Sequence, residues 1–151
     1  MLGIRKKRLG FTLIELLMVM VVLAVIAAIV IPKFYDRNKQ AKEAALKSDL
    51  KVLRNAIASF QADTGYYPLV LNDLTKSTSA TLSTANHGID SAAASQVITS
   101  SDFHGPYVQG TIPNDPVAGA AFTYSTTAGS VGNVTSSASG NGLDGTAYST
   151  Y

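Results

Sequence analysis

The sequence predicts an α+β fold, with a long N-terminal helix packed on a small C-terminal antiparallel sheet. The first half of that helix is expected to span a membrane and the second half to be amphipathic. Three observations predict it. Residues 11–31 form an unbroken apolar run whose one charged residue is Glu15. Leu46, Leu50, Leu53, Ile57 and Phe60 then recur at spacings of 4, 3, 4 and 3, which places them on one buried helical stripe. After Gly65 the apolar residues come in short runs divided by Pro, Gly, Asn and Asp, the pattern of strands and turns.

Length and composition set the bounds. The chain has 151 residues, 46% hydrophobic and only 15% charged, enough for one domain with an appendage. It has no cysteine, which excludes a disulfide scaffold, a thiolate metal site and a cysteine nucleophile. The formal charge of +2 is unevenly spread. Residues 1–10 carry Arg5, Lys6, Lys7 and Arg8 with no acid, whereas residues 32–64 carry seven bases against four acids. Residues 65–151 have Lys76 as their one base against Asp73, Asp90, Asp102, Asp115 and Asp144. A basic tip, an apolar segment, a basic stem and an acidic head follow one another.

The elements can be justified in that order. A helix over residues 11–31 covers about 31 Å, a bilayer core, and helix is the one conformation in which a single segment satisfies its own backbone there. The preceding basic cluster is expected to stay cytoplasmic, with the C-terminal side across the membrane. A buried core helix does not suit a run with no polar face. A secretory signal peptide does not suit it either, since Ala24, Ala27 and Ala28 lack the Ala-x-Ala spacing and the run ends in Ile-Pro. Residues 32–64 form the amphipathic stem, with Glu43 and Lys47 a favourably oriented i,i+4 pair. Pro32 is expected to bend or locally break the helix, and Gly65 to stop it.

The stripe at 46–60 needs a cover, and residues 65–151 supply the head that provides it. A short helical turn is expected around residues 72–74. Ser, Thr and Ala make up 17 of the 27 residues from 75 to 101, with no aromatic, which reads as a solvated or mobile loop. Strands are expected at 121–126, 131–137 and 146–151, the last two separated by a Gly-rich turn. The basic stem and acidic head further suggest that heads of one copy lie against stems of others, with contacts that weaken in salt.

At Leu9-Gly10-Phe11-Thr12-Leu13-Ile14-Glu15 the chain resembles the type IV pilin superfamily: a short basic leader ending in Gly10, then Phe11, and Glu15 as the fifth residue after the glycine. The apolar run, Pro32 and the amphipathic continuation fit the same pattern. The resemblance implies a pilin-like fold. It also implies a prepilin peptidase that cuts after Gly10, removing residues 1–10, and methylates the new amine of Phe11. Partners implied are further copies in a helical filament, minor pseudopilins or pilins, and an inner-membrane assembly platform with its ATPase. The implied location is the bacterial inner membrane, single pass, with the head in the periplasm or outside. Phe11, Glu15 and Pro32 become assembly residues on this reading: Glu15 answers the Phe11 amine of an adjacent copy, and Pro32 permits local unwinding.

Within that superfamily, Tyr66-Tyr67-Pro68, Gly105-Pro106-Tyr107, Pro113-Asn114-Asp115-Pro116 and Gly119 resemble the G-type, or major, pseudopilin of type II secretion. That resemblance implies a calcium site in the last loop. Residues 139–148 offer Asn141 and Asp144 as side-chain oxygens besides hydroxyls, with backbone or water left to complete a shell of six to eight. A type IV pilus subunit for adhesion, motility or DNA uptake remains the alternative, and a single-span membrane-anchored binding protein a more distant one. No catalytic constellation emerges: His87 and His104 lack a matching nucleophile or ligand spacing. Gly140-x-Gly142-x-x-Gly145 does not stand between a strand and a helix, and Asn133-Val134-Thr135 is a sequon by pattern only. With Lys76 its one base, the head offers no groove for nucleic acid.

Overall fold

The computed structural model describes residues 10–84 and 86–151, with the backbone alone at 32–36. The basic leader at 1–9, including Arg5–Arg8, lies outside the described residues, as do the side chain of Pro32 and Ala85. One helix, α1 (Leu13–Thr64, 52 residues), runs through both compact units of the chain, which divide between Asn38 and Lys39.

In the first unit α1 starts at Leu13, two residues later than a run beginning at Phe11 suggests. Thr12 causes this. Its hydroxyl accepts the Glu15 amide at 3.3 Å and its carbonyl the Leu16 amide at 3.2 Å, so Thr12 is the N-cap and its backbone stays outside the helix. The apolar residues of Leu13–Ile31 find no cover among the described residues and are exposed along their whole length. Of the bend or local break expected at Pro32, the break does not form, since the backbone stays helical through residues 32–36. A proline forfeits one backbone bond and crowds the preceding carbonyl, about 3 kcal/mol, a local loss that leaves the i→i−4 bonds on either side of it in a 52-residue helix intact.

The second unit is built on the other end of α1. All five residues of the expected stripe are buried, with Ala56 beside them. Gly65, at φ +78°, closes the helix by giving its amide to the Gln61 carbonyl at 2.8 Å, the left-handed conformation glycine adopts without a Cβ penalty. The head folds back over the stripe, adding Leu74, Leu82, Ile98, Phe103, Phe122, Val134 and Tyr148 to the core. Phe60 lies at its centre, with the rings of Phe103 and Tyr107 at 5.8 and 5.4 Å.

Two small antiparallel sheets serve the head instead of one. Strands β1 (His87–Ile89) and β2 (Ser95–Val97) pair with His87 opposite Val97, and β3 (Thr123–Tyr124) and β4 (Val134–Thr135) pair with Tyr124 opposite Val134. The expected turn at 72–74 is a 3-10 helix, Leu71–Thr75. Residues 75–101 correct the loop expectation: they hold the β1–β2 hairpin and bury Ser79, Leu82, Ile89 and Ile98. A few apolar side chains suffice to anchor this segment, and its Ser and Thr pair locally. The expected strand at 146–151 is also corrected, to a single bridge between Asn141 and Ala147 and a 3-10 turn, Tyr148–Thr150.

The motif residues of the head act as fasteners. Tyr67 exchanges backbone bonds with Ile89 at 2.8 and 2.9 Å, docking the β1–β2 hairpin beside the end of α1. Its ring lies over Gly132, which has φ +83°, and a Cβ there would come within 2.3 Å of the Tyr67 Cδ1. Gly132→Ala therefore combines a left-handed backbone with a collision, and a loss of about 2 kcal/mol is expected. Thermal unfolding of the full chain in detergent measures it.

Candidate functional site

Two places hold the residues that the sequence singles out. The first is the start of α1. Gly10 and Phe11 are exposed ahead of the helix, Phe11 to 78%, with open space around Gly10. Glu15 occupies the first turn, where a negative charge is favoured by the helix dipole. Its carboxylate is exposed and makes no hydrogen bond or ion pair among the described residues. An acid surrounded by exposed Leu13, Ile14, Leu16, Leu17 and Met18 thus has no answer to its charge among the described residues. Sequence reasoning missed Thr12. The signal was available, since Thr12-x-x-Glu15 is the spacing of a capping box.

The second place is the C-terminal loop, and α1 reads it with three charged residues one turn apart. Lys39, Glu43 and Lys47 share a helix face by their i,i+4 spacing. Lys39 Nζ donates to the Asn141 carbonyl at 3.3 Å. Glu43, buried to 6% exposure, accepts the Leu143 amide at 2.9 Å and the Tyr148 hydroxyl at 2.7 Å. Lys47 Nζ donates to Asp144 Oδ2 at 3.2 Å and lies 4.6 Å from the centroid of the Tyr151 ring. Further along, Arg54 donates to the Val134 carbonyl at 3.0 Å and to the main-chain oxygen of Tyr151. The expected Glu43–Lys47 pair is therefore not what forms. Each partner turns to the loop, because a buried carboxylate gains more from direct donors than from an exposed ammonium.

Electrostatics at the loop follow from these contacts. The Tyr151 hydroxyl, the Thr146 amide and Lys47 hold the Asp144 carboxyl well below the usual range. The hydrogen bond to Asp144 raises Lys47 against a smaller opposing desolvation. Burial, then the Glu43 carboxylate, pushes the Tyr148 hydroxyl up to about 12.

Asn141 and Asp144 do come close to one loop, but the arrangement does not fit a calcium ion. Asp144 Oδ1 already accepts the Thr146 amide at 2.9 Å and the Tyr151 hydroxyl at 2.6 Å, and Oδ2 faces an ammonium. The main-chain carbonyl of Asn141 accepts from Lys39, a second cation. Among the described residues no three His, Asp or Glu side chains gather as a metal-holding group. The head's acids also have contacts within the chain. Asp73 and Asp115 are buried, and Asp144 is paired within the chain. Asp102 is exposed and Asp90 half-buried, each tied to neighbouring loop residues. His104 sits near Asp63 at 3.7 Å, and His87 lies in β1.

Family resemblance is consistent with both places. Residues 5–31 match the family model of the prokaryotic N-terminal methylation motif, and residues 33–149 match that of type II secretion system (T2SS) protein G. Over 64 residues the chain is 39% identical to the type II secretion system core protein G of Pseudomonas aeruginosa, covering 42% of this chain and 45% of that one. The corresponding protein of Escherichia coli is 34% identical over 62 residues, 41% of this chain and 43% of that one. The type IV major pilin protein PilA of Myxococcus xanthus is 37% identical over 65 residues, 43% of this chain and 30% of that one. The matched segment thus spans less than half the length of these curated relatives. No solved structure matches the chain. Since the protein G model extends over most of the sequence, from the stem to the last loop, the chain belongs to the type II secretion system protein G family.

Proposed function

We propose that this chain is the major structural subunit of a type II secretion pseudopilus. Prepilin peptidase cuts it after Gly10 and methylates Phe11, and the inner-membrane platform and its ATPase assemble it with further copies and with minor pseudopilins. The precursor sits in the inner membrane through Leu13–Ile31 with its head in the periplasm. The observation that carries this reading is Glu15, an exposed carboxylate with no partner among the described residues, in the first turn of an otherwise apolar and exposed helix segment. A charge in such a setting costs up to about 3 kcal/mol on insertion scales and normally has a partner. The partner of right chemistry is the amine that cleavage creates at Phe11 on a neighbouring copy. No step asks this chain for catalysis; its role is structural.

The intact mass of the protein purified from its native membranes tests the proposal. A mass lacking residues 1–10 and gaining one methyl is expected, and a chain that keeps its leader in the working state refutes it. The similarity to the Myxococcus xanthus pilin favours a second reading, a type IV pilus subunit. Deleting the gene separates the two, because loss of extracellular enzyme secretion with surface pili intact supports the pseudopilus and the reverse supports the pilus.

A further inference from the structure

We infer that the C-terminal loop is closed by a resident cation, the Lys47 ammonium, in the place where a divalent metal ion would have to sit, so that the head folds without calcium. The inference stands on the loop itself, whether or not the chain forms filaments. Asp144 is the one acid in the loop, and both of its oxygens are taken: Oδ2 by Lys47 at 3.2 Å, Oδ1 by the Tyr151 hydroxyl and the Thr146 amide. The Tyr151 hydroxyl also packs directly against the loop backbone: a Cβ built on Gly142 would lie 2.3 Å from the Tyr151 Oη and 3.0 Å from Asp144 Oδ1, so a tyrosine hydroxyl and an ammonium already occupy the coordination sphere of the one carboxylate that a calcium ion, with its six to eight oxygens, could use. Lys39 on the Asn141 carbonyl adds a second positive charge to the same loop, which opposes a divalent cation further.

A single compact charge on a flexible stem suits this task. Lys47 reaches the carboxylate from a helix that the core already holds in place. Its ammonium also lies over the Tyr151 ring, 4.6 Å from the centroid, and that ring packs edge-on to Tyr148 at 5.7 Å. The next residue toward the N-terminus on that face, Glu43, fixes Leu143 and Tyr148, so adjacent loop residues are held by opposite charges. Loop closure then depends on the i,i+4 register of one helix face and on no diffusible ligand.

Hydrogen exchange of the full chain in detergent tests this, read at residues 139–151 with the amides of residues 46–60 as the folding control. Wild type should exchange identically in millimolar calcium and in chelator. Lys47→Met should exchange about fivefold faster in the loop, with the control amides unchanged, as befits an exposed pair, and Lys47→Arg should stay close to wild type. Terbium, which reports a calcium site beside tyrosines, should give no tyrosine-sensitised emission with wild type. Calcium that slows loop exchange in wild type, sensitised terbium emission, or a Lys47→Met loop that exchanges like wild type would each overturn the inference.

Discussion

A chain carrying Glu15→Val is expected to insert into the membrane, lose residues 1–10 at the normal rate, and yield no filament. The substitution leaves the helix start intact, because the Thr12 hydroxyl caps the Glu15 backbone amide and not its carboxylate. It also eases insertion, since one charge leaves the apolar segment. On the proposed pairing, what it removes is the attraction between that carboxylate and the Phe11 amine of a neighbour, about 4 kcal/mol at 4 Å and an effective dielectric near 20 before desolvation is subtracted. Repeated at every subunit, even half of that sum separates a polymer from dispersed monomers. Glu15→Gln, which keeps size and polarity but not charge, should fail equally. Sheared filaments counted by electron microscopy, beside the mass of the membrane-bound chain, give the readout. Normal filaments from either variant would end the pairing model, whereas uncleaved precursor would point to the peptidase instead.

The parts of this fold legible in the sequence are those whose cause is local. The Leu46–Phe60 stripe repeats every turn, and Gly65 stops the helix by its own backbone freedom, so both can be read without a partner in view. Glu43 could not be read that way. The i,i+4 rule describes an isolated helix surface, and the donors that claim Glu43 lie about a hundred residues on, at Leu143 and Tyr148. Residues 75–101 misled for a related reason. Leu82, Ile89 and Ile98 are sparse among small polar residues, yet each enters the core because the long-range pairing of Tyr67 with Ile89 carries the hairpin there. Thr and Tyr in 146–151 suggested a strand by propensity, but the turn at Gly145, with φ +81°, and the pull of Arg54 and Asp144 on Tyr151 fold that segment onto α1. At the N-terminal site the reverse holds. Gly10, Phe11 and Glu15 form a linear motif, and the structure adds the cap and the exposure to it.

Asp115→Ala should be the most damaging single change in the head, costing about 4 kcal/mol. Its carboxylate is fully buried and is the hub of the Pro113–Pro116 turn. Oδ1 accepts the Val117 and Ala118 amides at 2.8 and 3.0 Å, while Oδ2 accepts the Ser137 amide at 3.0 Å and the Ser136 hydroxyl. One side chain thereby ties the turn ahead of β3 to the strand end after β4. Removing it strands three backbone donors and a hydroxyl, each costing about 1–3 kcal/mol when left dry, with partial relief as water enters. Burial alone would push this carboxyl up, but the hydrogen bonds from Ser136, Ala118, Val117 and Ser137 outweigh it and hold the group below the ordinary carboxylate range. A depressed folded-state value means that the stabilisation is complete above the unfolded pKa near 3.9 and drains away as pH falls through the folded one. Asp115→Asn keeps one acceptor and the shape but cannot titrate, so it should cost less than Ala at neutral pH and flatten the stability curve below about pH 4. Thermal melts of the full chain in detergent between neutral pH and about pH 3 resolve both effects. An Asp115→Ala chain that melts like wild type would remove Asp115 from the role of hub.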